Sequence, residues 1–168
     1  MNLSFSTRGW QSFSFDENID SAVTMKFGGI EVYNVHKCTD LTEKGGVFHK
    51  YNSAATVRLL REKNIVIPCF DTSCDISVEG GYDEICSVMQ IAHDVQVPYV
   101  SVVALSDNDE QVFSTVEKLL AVAETYGVTV LFKTSGIFSD TARLRALLDN
   151  FASDNLAALW GMHHTYFV

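Results

Sequence analysis

Tyr99-Val100-Ser101-Val102-Val103-Ala104 is followed by a helical stretch that ends near Gly127, and Val128-Thr129-Val130-Leu131-Phe132 comes directly after it. Both short runs are rich in β-branched residues and are mostly apolar on both faces, which is typical of parallel strands covered by helices. The stretch between them carries an apolar stripe at helical spacing: Val112, Phe113, Val116, Leu119, Leu120 and Ala123. The segment therefore predicts a strand–helix–strand unit.

Runs of the same kind recur along the chain, at Leu3–Ser6, Ile30–Tyr33, Ile65–Phe70, Tyr99–Ala104, Val128–Phe132 and Leu156–Trp160. Their starts are about 30 residues apart, as in a barrel of about 250 residues made of eight units. We therefore predict an α/β fold in which residues 1–168 form a single partial domain. This domain is an incomplete (β/α)8 TIM barrel with about six parallel strands and its helices outside.

A doubly wound open sheet is the alternative architecture. Such sheets usually carry a glycine-rich phosphate-binding turn after the first strand, and Thr7-Arg8-Gly9-Trp10 is not one. Six units also cannot close an eight-stranded barrel, so both edge strands would expose unpaired backbone groups. We therefore expect a homo-oligomer, or a missing C-terminal segment that completes the barrel.

The composition narrows the range of partners. The chain has 168 residues, is 47% hydrophobic and carries a formal net charge of −9, which disfavours binding to nucleic acid. It contains no apolar run long enough to cross a membrane, and residues 1–9 lack the features of a secretory signal, so we expect a cytoplasmic location. The four cysteines show no CxxC pairing, and we interpret them as reduced thiols rather than metal ligands or nucleophiles.

Four segments resemble strand motifs of one known family. They are Leu3-Ser4-Phe5-Ser6-Thr7, Gly29-Ile30-Glu31-Val32-Tyr33-Asn34, residues 127–136 and Leu159-Trp160-Gly161-Met162-His163-His164. In this order they resemble the xylose isomerase-like TIM barrels, the sugar phosphate isomerases/epimerases. The resemblance covers nearly the whole chain.

The resemblance implies an isomerase fold in which a divalent metal, such as manganese, cobalt, magnesium or zinc, lies at the C-terminal mouth of the barrel. The family's metal-binding Glu on the fifth strand aligns with Lys133, and its Asp on the sixth strand aligns with Gly161. The remaining ligands belong to seventh and eighth strands. We therefore expect no metal ligands and no cofactor in this chain, and we expect this fragment alone to be inactive.

Lys133 is the first catalytic candidate. Strand alternation puts Thr129, Leu131 and Lys133 on one face, so a charge at the end of this strand would emerge at the barrel mouth. There it could bind a carboxylate or phosphate in place of the metal's charge. The alternative is a solvated lysine at the start of a loop.

Two further catalytic candidates are His164 and Glu31. By its spacing from Gly161, His164 matches a family histidine that contacts substrate. Glu31 lies within the second predicted strand, where a buried carboxylate must be partnered, and a structural role there is the favoured interpretation.

Four residues are candidates for substrate binding. Asn34 and His36 follow the second strand, Asp71 is expected in the loop after the third, and Trp160 ends the sixth. The carboxyl ends of barrel strands form the mouth, so these side chains would surround a ligand. A turn or capping role is the alternative for Asp71.

Two functions follow. The first is a sugar or sugar-phosphate isomerase or epimerase that transfers a proton next to a carbonyl, with Lys133 and His164 contacting substrate and Asp71 or Glu31 assisting. The second is a non-catalytic degenerate barrel that binds a small anionic ligand or a protein partner. Metal binding would favour the first function.

Overall fold

The computed structural model describes residues 3–162. Six strands alternate with helices along the chain. The strands are β1 (Ser4–Ser6), β2 (Gly29–Tyr33), β3 (Cys69–Asp75), β4 (Tyr99–Val103), β5 (Thr129–Lys133) and β6 (Leu156–Leu159). The helices are α1 (Phe15–Thr24), α2 (Thr39–Thr42), α3 (Ser53–Lys63), α4 (Gly81–Asp94), α5 (Asp109–Tyr126) and α6 (Thr141–Phe151). Short 3-10 turns at Thr7–Gly9, Val35–Lys37 and Gly136–Ser139 follow β1, β2 and β5.

The six strands form one parallel sheet in the order β1-β2-β3-β4-β5-β6. Every strand therefore pairs with its neighbour in sequence, as successive units of a β/α barrel do. The registers run from Ser6 opposite Glu31 to Lys133 opposite Leu159. The prediction of an incomplete α/β barrel with six parallel strands is confirmed.

The two faces of the sheet have different chemistry. Side chains that alternate towards the helices are apolar and fully enclosed, among them Ile30, Val100 and Phe132. The opposite face, which corresponds to the barrel interior, carries polar and charged groups: Ser6, Glu31, Cys69, Asp71, Ser101 and Lys133. The hydrophobic core thus lies between the sheet and the helices. The polar groups of the opposite face remain available to form a functional site.

The third strand differs from its prediction. The run Ile65–Ile67 forms only an isolated bridge between Val66 and Gly29, and regular pairing begins at Cys69 after Pro68, which has no N–H to donate. The strand then continues to Asp75. The expectation that Asp71 lies in a loop after this strand is therefore wrong, because Asp71 pairs with Tyr33 and Ser101 inside the sheet.

Helix ends follow local signals. Ser14 and Glu17 form a capping box at the start of α1, and Asp140 accepts a hydrogen bond from the Ala142 N–H at the start of α6. α5 ends at Gly127, whose φ of +63° is the left-handed conformation that glycine tolerates best. Among the described residues, no helix is both long and apolar enough to span a membrane.

Candidate functional site

An ion pair occupies the polar face of the sheet near the carboxyl ends of its strands. The ammonium of Lys133, the last residue of β5, donates to the Asp71 carboxylate in β3. Their side chains are 14% and 6% exposed, so both charges are largely removed from water. Lys133 is therefore not the solvated loop lysine of the alternative interpretation.

Asp71 is held by neighbouring groups as well. Its Oδ1 accepts hydrogen bonds from the Ser73 N–H at 3.0 Å, the Ser73 hydroxyl at 3.2 Å and the Ser101 hydroxyl at 3.2 Å. Ser101 is fully buried in β4. Donors from two strands thus fix the carboxylate that orients Lys133.

Glu31 brings a second carboxyl to this face. Burial raises the pKa of Glu31, a hydrogen bond with the Ser6 side chain opposes that rise, and the negative charge of Asp71 adds to it. The positive charges of Lys133 and Arg8 lower the pKa of Glu31 by smaller amounts. The group therefore titrates closer to neutrality than an ordinary glutamate, within the electrostatic reach of the Lys133–Asp71 pair.

Cys69 lies on the same face as Glu31 and Asp71. Burial raises the pKa of the Cys69 thiol to about 12, and the charges of Glu31 and Asp71 act in the same direction. A thiol with this pKa stays protonated at neutral pH and is a poor nucleophile.

Asn34 lines a cavity, and its backbone N–H donates to the Asp71 carbonyl oxygen at 2.7 Å. It has a left-handed backbone with φ of +49°, and its Oδ1 is buried without a hydrogen-bond partner among residues 3–162. The cavity has a volume of about 330 Å³ and is lined by Thr7, Trp10, Gln11, Phe13, Phe15, Asn18, Val32, Tyr33, Asn34, Lys37, Cys38, Asp40 and Leu41. Neither Glu31 nor Lys133 lines it.

His36 is turned towards the helical layer. Its Nε2 lies 3.5 Å from the Cys74 sulfur and 3.5 Å from a carboxylate oxygen of Glu84 in α4. Burial lowers the pKa of His36 and raises the pKa of Cys74 to about 11. His36 therefore belongs to a separate cluster, and its prediction as a residue of the barrel mouth has no support from these contacts.

The remaining candidates lie near the end of the chain. Trp160 follows β6 directly and is exposed. His164 lies outside the described residues, as does His163.

The sequence interpretation missed the serines around Asp71, and it missed Glu84. Ser101 is the one polar residue in the strand Tyr99–Val103 that is fully buried, and a hydroxyl in an apolar run was the signal available. Glu84, in the first turn of α4, has the pattern of an ordinary helix-start carboxylate and gave no signal.

Comparison with known proteins shows which fold this is. No protein-family model matches the chain, and a search of curated proteins finds no match. Among solved structures, the xylose isomerase domain protein from Planctomyces limnophilus matches with a TM-score of 0.70 at 12% identity. The IOLI protein with a binding zinc atom matches with a TM-score of 0.72 at 14% identity, and a D-tagatose 3-epimerase-like protein with 0.71 at 14%.

The chain has the fold of a xylose isomerase-like TIM barrel. The three matches cover 94%, 93% and 98% of this chain but only 62%, 61% and 66% of the respective proteins. The chain thus spans less than two thirds of their length. At these identities the likeness establishes the fold.

The described strand ends do not fit the metal that the resemblance implies. Where the family's fifth-strand Glu aligns, the ammonium of Lys133 would repel a cation, and it already engages Asp71. Gly161, at the position of the sixth-strand Asp, has no side chain to coordinate, and its N–H donates to the Thr134 hydroxyl at 2.8 Å. The end of β5 therefore carries an ammonium, paired with Asp71, at the position of a family metal ligand.

Proposed function

We propose that this chain forms part of the active site of a barrel enzyme that transfers a proton next to the carbonyl of a sugar or sugar phosphate. One observation carries the proposal: Glu31, with its raised pKa, shares the polar face with the buried Lys133–Asp71 pair. Enzymes with this architecture bind their substrates at the carboxyl ends of the barrel strands. The fold of the solved relatives is consistent with this reaction class.

Glu31 is the proton-transfer group in this proposal. A general base or acid works best when its pKa is close to the working pH, and burial moves the pKa of Glu31 in that direction. In its ionised form it removes a proton from the carbon next to the substrate carbonyl, and in its protonated form it returns one. The Ser6 side chain orients the carboxyl through their hydrogen bond.

Lys133 stabilises the negative charge that develops on the substrate oxygen. An ammonium has three donors, and Asp71 engages only part of that capacity, so Nζ can donate to a substrate oxygen as well. Electrostatic stabilisation by a fixed donor in a water-poor site is worth more than in water. Asp71, held by Ser73 and Ser101, is a positioning residue for Lys133.

Deuterium exchange tests this proposal without knowledge of the natural substrate. The chain is incubated in D₂O with a panel of aldoses, ketoses and their phosphates, and loss of the proton next to the carbonyl is followed by NMR. The chain lacks the family's metal ligands, but Glu31 and the Lys133–Asp71 pair need no metal for this step in the proposal. We therefore expect exchange with at least one phosphorylated sugar, and its loss in Glu31→Gln. The control Glu62→Gln replaces an exposed glutamate of α3 and should exchange at the wild-type rate.

A Lys133→Met variant tests whether Lys133 takes part in the reaction, and a second variant shows whether a loss of exchange comes from misfolding instead. Because this change leaves Asp71 unpaired, it is compared with Lys133→Met/Asp71→Asn, which removes both charges. Lys118→Met, at an exposed position of α5, is the matched control. If the double variant folds and still exchanges as fast as wild type, Lys133 has no part in the reaction.

A second candidate is a barrel that binds a small anion without catalysis. The observation that favours it is the positive charge of Lys133 at the position of a family metal ligand. In that case a sugar phosphate raises the melting temperature of the chain through Lys133, while no substrate carbon exchanges its proton and Glu31→Gln binds as wild type does.

A further inference from the structure

Three side chains form a compact cluster between the sheet and α4. His36 comes from the turn after β2, Cys74 from the end of β3 and Glu84 from the first turn of α4. The distances are 3.5 Å from His36 Nε2 to Cys74 Sγ, 3.5 Å from His36 Nε2 to Glu84 Oε2 and 3.2 Å from Cys74 Sγ to Glu84 Oε2. Three separate elements thus converge on one point.

These distances match the edges of a tetrahedral coordination sphere. Zinc bonds of about 2.3 Å to sulfur, about 2.0–2.1 Å to nitrogen and about 2.0–2.2 Å to oxygen place the donor atoms about 3.3–3.6 Å apart. The three measured separations lie in or close to this range. An ion could therefore contact all three donors with only small side-chain adjustments.

The imidazole of His36 supplies a second, independent observation. Its side chain is 6% exposed, and its Nδ1 is buried without a hydrogen-bond partner among residues 3–162. Since no described group accepts from or donates to Nδ1, the ring can carry its proton there and direct the Nε2 lone pair towards Cys74 and Glu84. That is the tautomer in which Nε2 serves as a metal ligand.

We propose that His36, Cys74 and Glu84 bind one zinc-class divalent cation, with a fourth position open to solvent on the side of Glu84. The Glu84 side chain is 51% exposed, which gives the ion a route of entry. A thiolate, an imidazole and a carboxylate favour zinc or cobalt over magnesium or calcium. This site shares no residue with the Lys133–Asp71 pair and does not depend on the proposed catalytic function.

Binding of the cation releases a proton from the protein. The Cys74 thiol gives up its proton to solvent when the sulfur binds the ion, so thiolate and carboxylate together neutralise two positive charges. Lys37 is the cation whose charge acts on His36 and Cys74, and it weakens binding. Among residues 3–162 nothing accepts a hydrogen bond from Nδ1, so the affinity for zinc should be about 10–100-fold lower than at a site with such an acceptor.

Cobalt titration of the full 168-residue chain tests the site. The chain carries no affinity tag and is stripped of metal under reducing conditions. We expect one equivalent of Co²⁺ to produce a thiolate-to-cobalt charge-transfer band and intense visible bands of a four-coordinate ion, and Zn²⁺ to displace it. Calorimetry in buffers of different ionisation enthalpy should record about one proton released per zinc.

Matched variants identify the ligands. Cys74→Ser should lose the charge-transfer band, and Glu84→Gln and His36→Gln should each weaken binding at least tenfold. The controls are Cys86→Ser, which removes a thiol of α4, and Glu110→Gln, which replaces an exposed glutamate in the first turn of α5. Both should titrate as wild type. Circular dichroism of the metal-free variants checks that they remain folded.

The opposite results overturn the proposal. A charge-transfer band that survives in Cys74→Ser assigns the thiolate elsewhere. Weak six-coordinate bands without charge transfer, or no binding by wild type, mean that the cluster is only a hydrogen-bonded contact between β3 and α4.

Discussion

Lys133 at the end of β5 and Asp71 in the middle of β3 form an ion pair that bridges two strands separated by β4. Burying two opposite charges gains little net stability, because desolvation offsets most of their attraction. Hydrophobic side chains could fill the same space, so stability alone does not account for the pair. Its place at the carboxyl ends of the strands favours a ligand-binding role.

Breaking the pair from one side should be strongly destabilising. In Lys133→Met the Asp71 carboxylate stays buried without its cation, and we expect the free energy of unfolding in urea to fall by about 3 kcal/mol. Lys133→Met/Asp71→Asn should recover part of that loss, since no unpaired charge remains. For comparison, Lys63→Met breaks an exposed pair with Asp20 and should cost less than about 1 kcal/mol. If Lys133→Met and Lys63→Met lowered the free energy of unfolding equally, the result would contradict the burial of Lys133.

Glu31 should make the stability of the chain depend on pH in a defined direction. Because its pKa is raised in the folded state, the folded chain holds this proton more tightly than the unfolded chain does. The contribution to stability is therefore fully present below the unfolded value near 4.5 and is lost as pH rises through the raised folded pKa.

Glu31→Gln removes this titration. Relative to wild type, the variant should gain stability as pH rises from about 5 to about 8, because it carries no charge to desolvate. Urea unfolding of both proteins across that range measures the difference, and Glu62→Gln, on the exposed surface of α3, corrects for general charge effects. A difference that does not change with pH would mean that the Glu31 carboxyl is solvated.

The sequence predicted the fold well because the repeat itself carries the information. Apolar strands at regular intervals and amphipathic helices between them indicated a partial barrel, and strand alternation placed Lys133 on one face with Thr129 and Leu131, at the barrel mouth. The position of Asp71 was not predictable in this way. The strand continues past it because Ser73 adopts a left-handed backbone with φ of +50° and the Thr72 hydroxyl accepts the Cys74 N–H, and no periodic pattern reveals such an irregularity.

The contacts of His36 were not predictable from periodicity either. Asn34 adopts a left-handed conformation and a 3-10 turn follows, and the imidazole contacts Cys74 near the end of β3 and Glu84 in α4. Periodicity gives the face of a residue within a strand or helix, but the direction of the chain after it depends on single backbone conformations. The cluster with Cys74 and Glu84 is a tertiary contact and could only be found in the structure.

The conformation of the loop that follows Lys133 should require a glycine, Gly136. Gly136 has φ of +61°, and a Cβ there would collide with the backbone carbonyl of Ala104. Gly127 has nearly the same φ, +63°, with open space around it. Gly127→Ala should therefore cost about 1 kcal/mol of unfolding free energy from backbone strain alone, and Gly136→Ala should cost clearly more. Urea unfolding checks both, and equal losses would mean that the loop shifts freely.

The edges of the sheet should drive self-association. Among residues 3–162, β1 pairs only with β2, and β6 pairs only with β5, so each edge presents backbone groups and exposed apolar side chains such as Leu3 and Trp160. Unprotected strand edges pair readily with another chain. We therefore expect the purified 168-residue chain to form dimers or larger oligomers, as measured by light scattering across a range of concentrations.

A charge on the β6 edge strand tests whether this strand carries the association. Ala158 is exposed within β6, and a lysine there should disfavour strand pairing and raise the monomer fraction. Ala121→Lys places the same charge on the exposed surface of α5 and should leave the mass distribution unchanged. If wild type stays monomeric at the highest concentration, the edges are not the interface. If both variants dissociate equally, net charge rather than strand pairing controls the association.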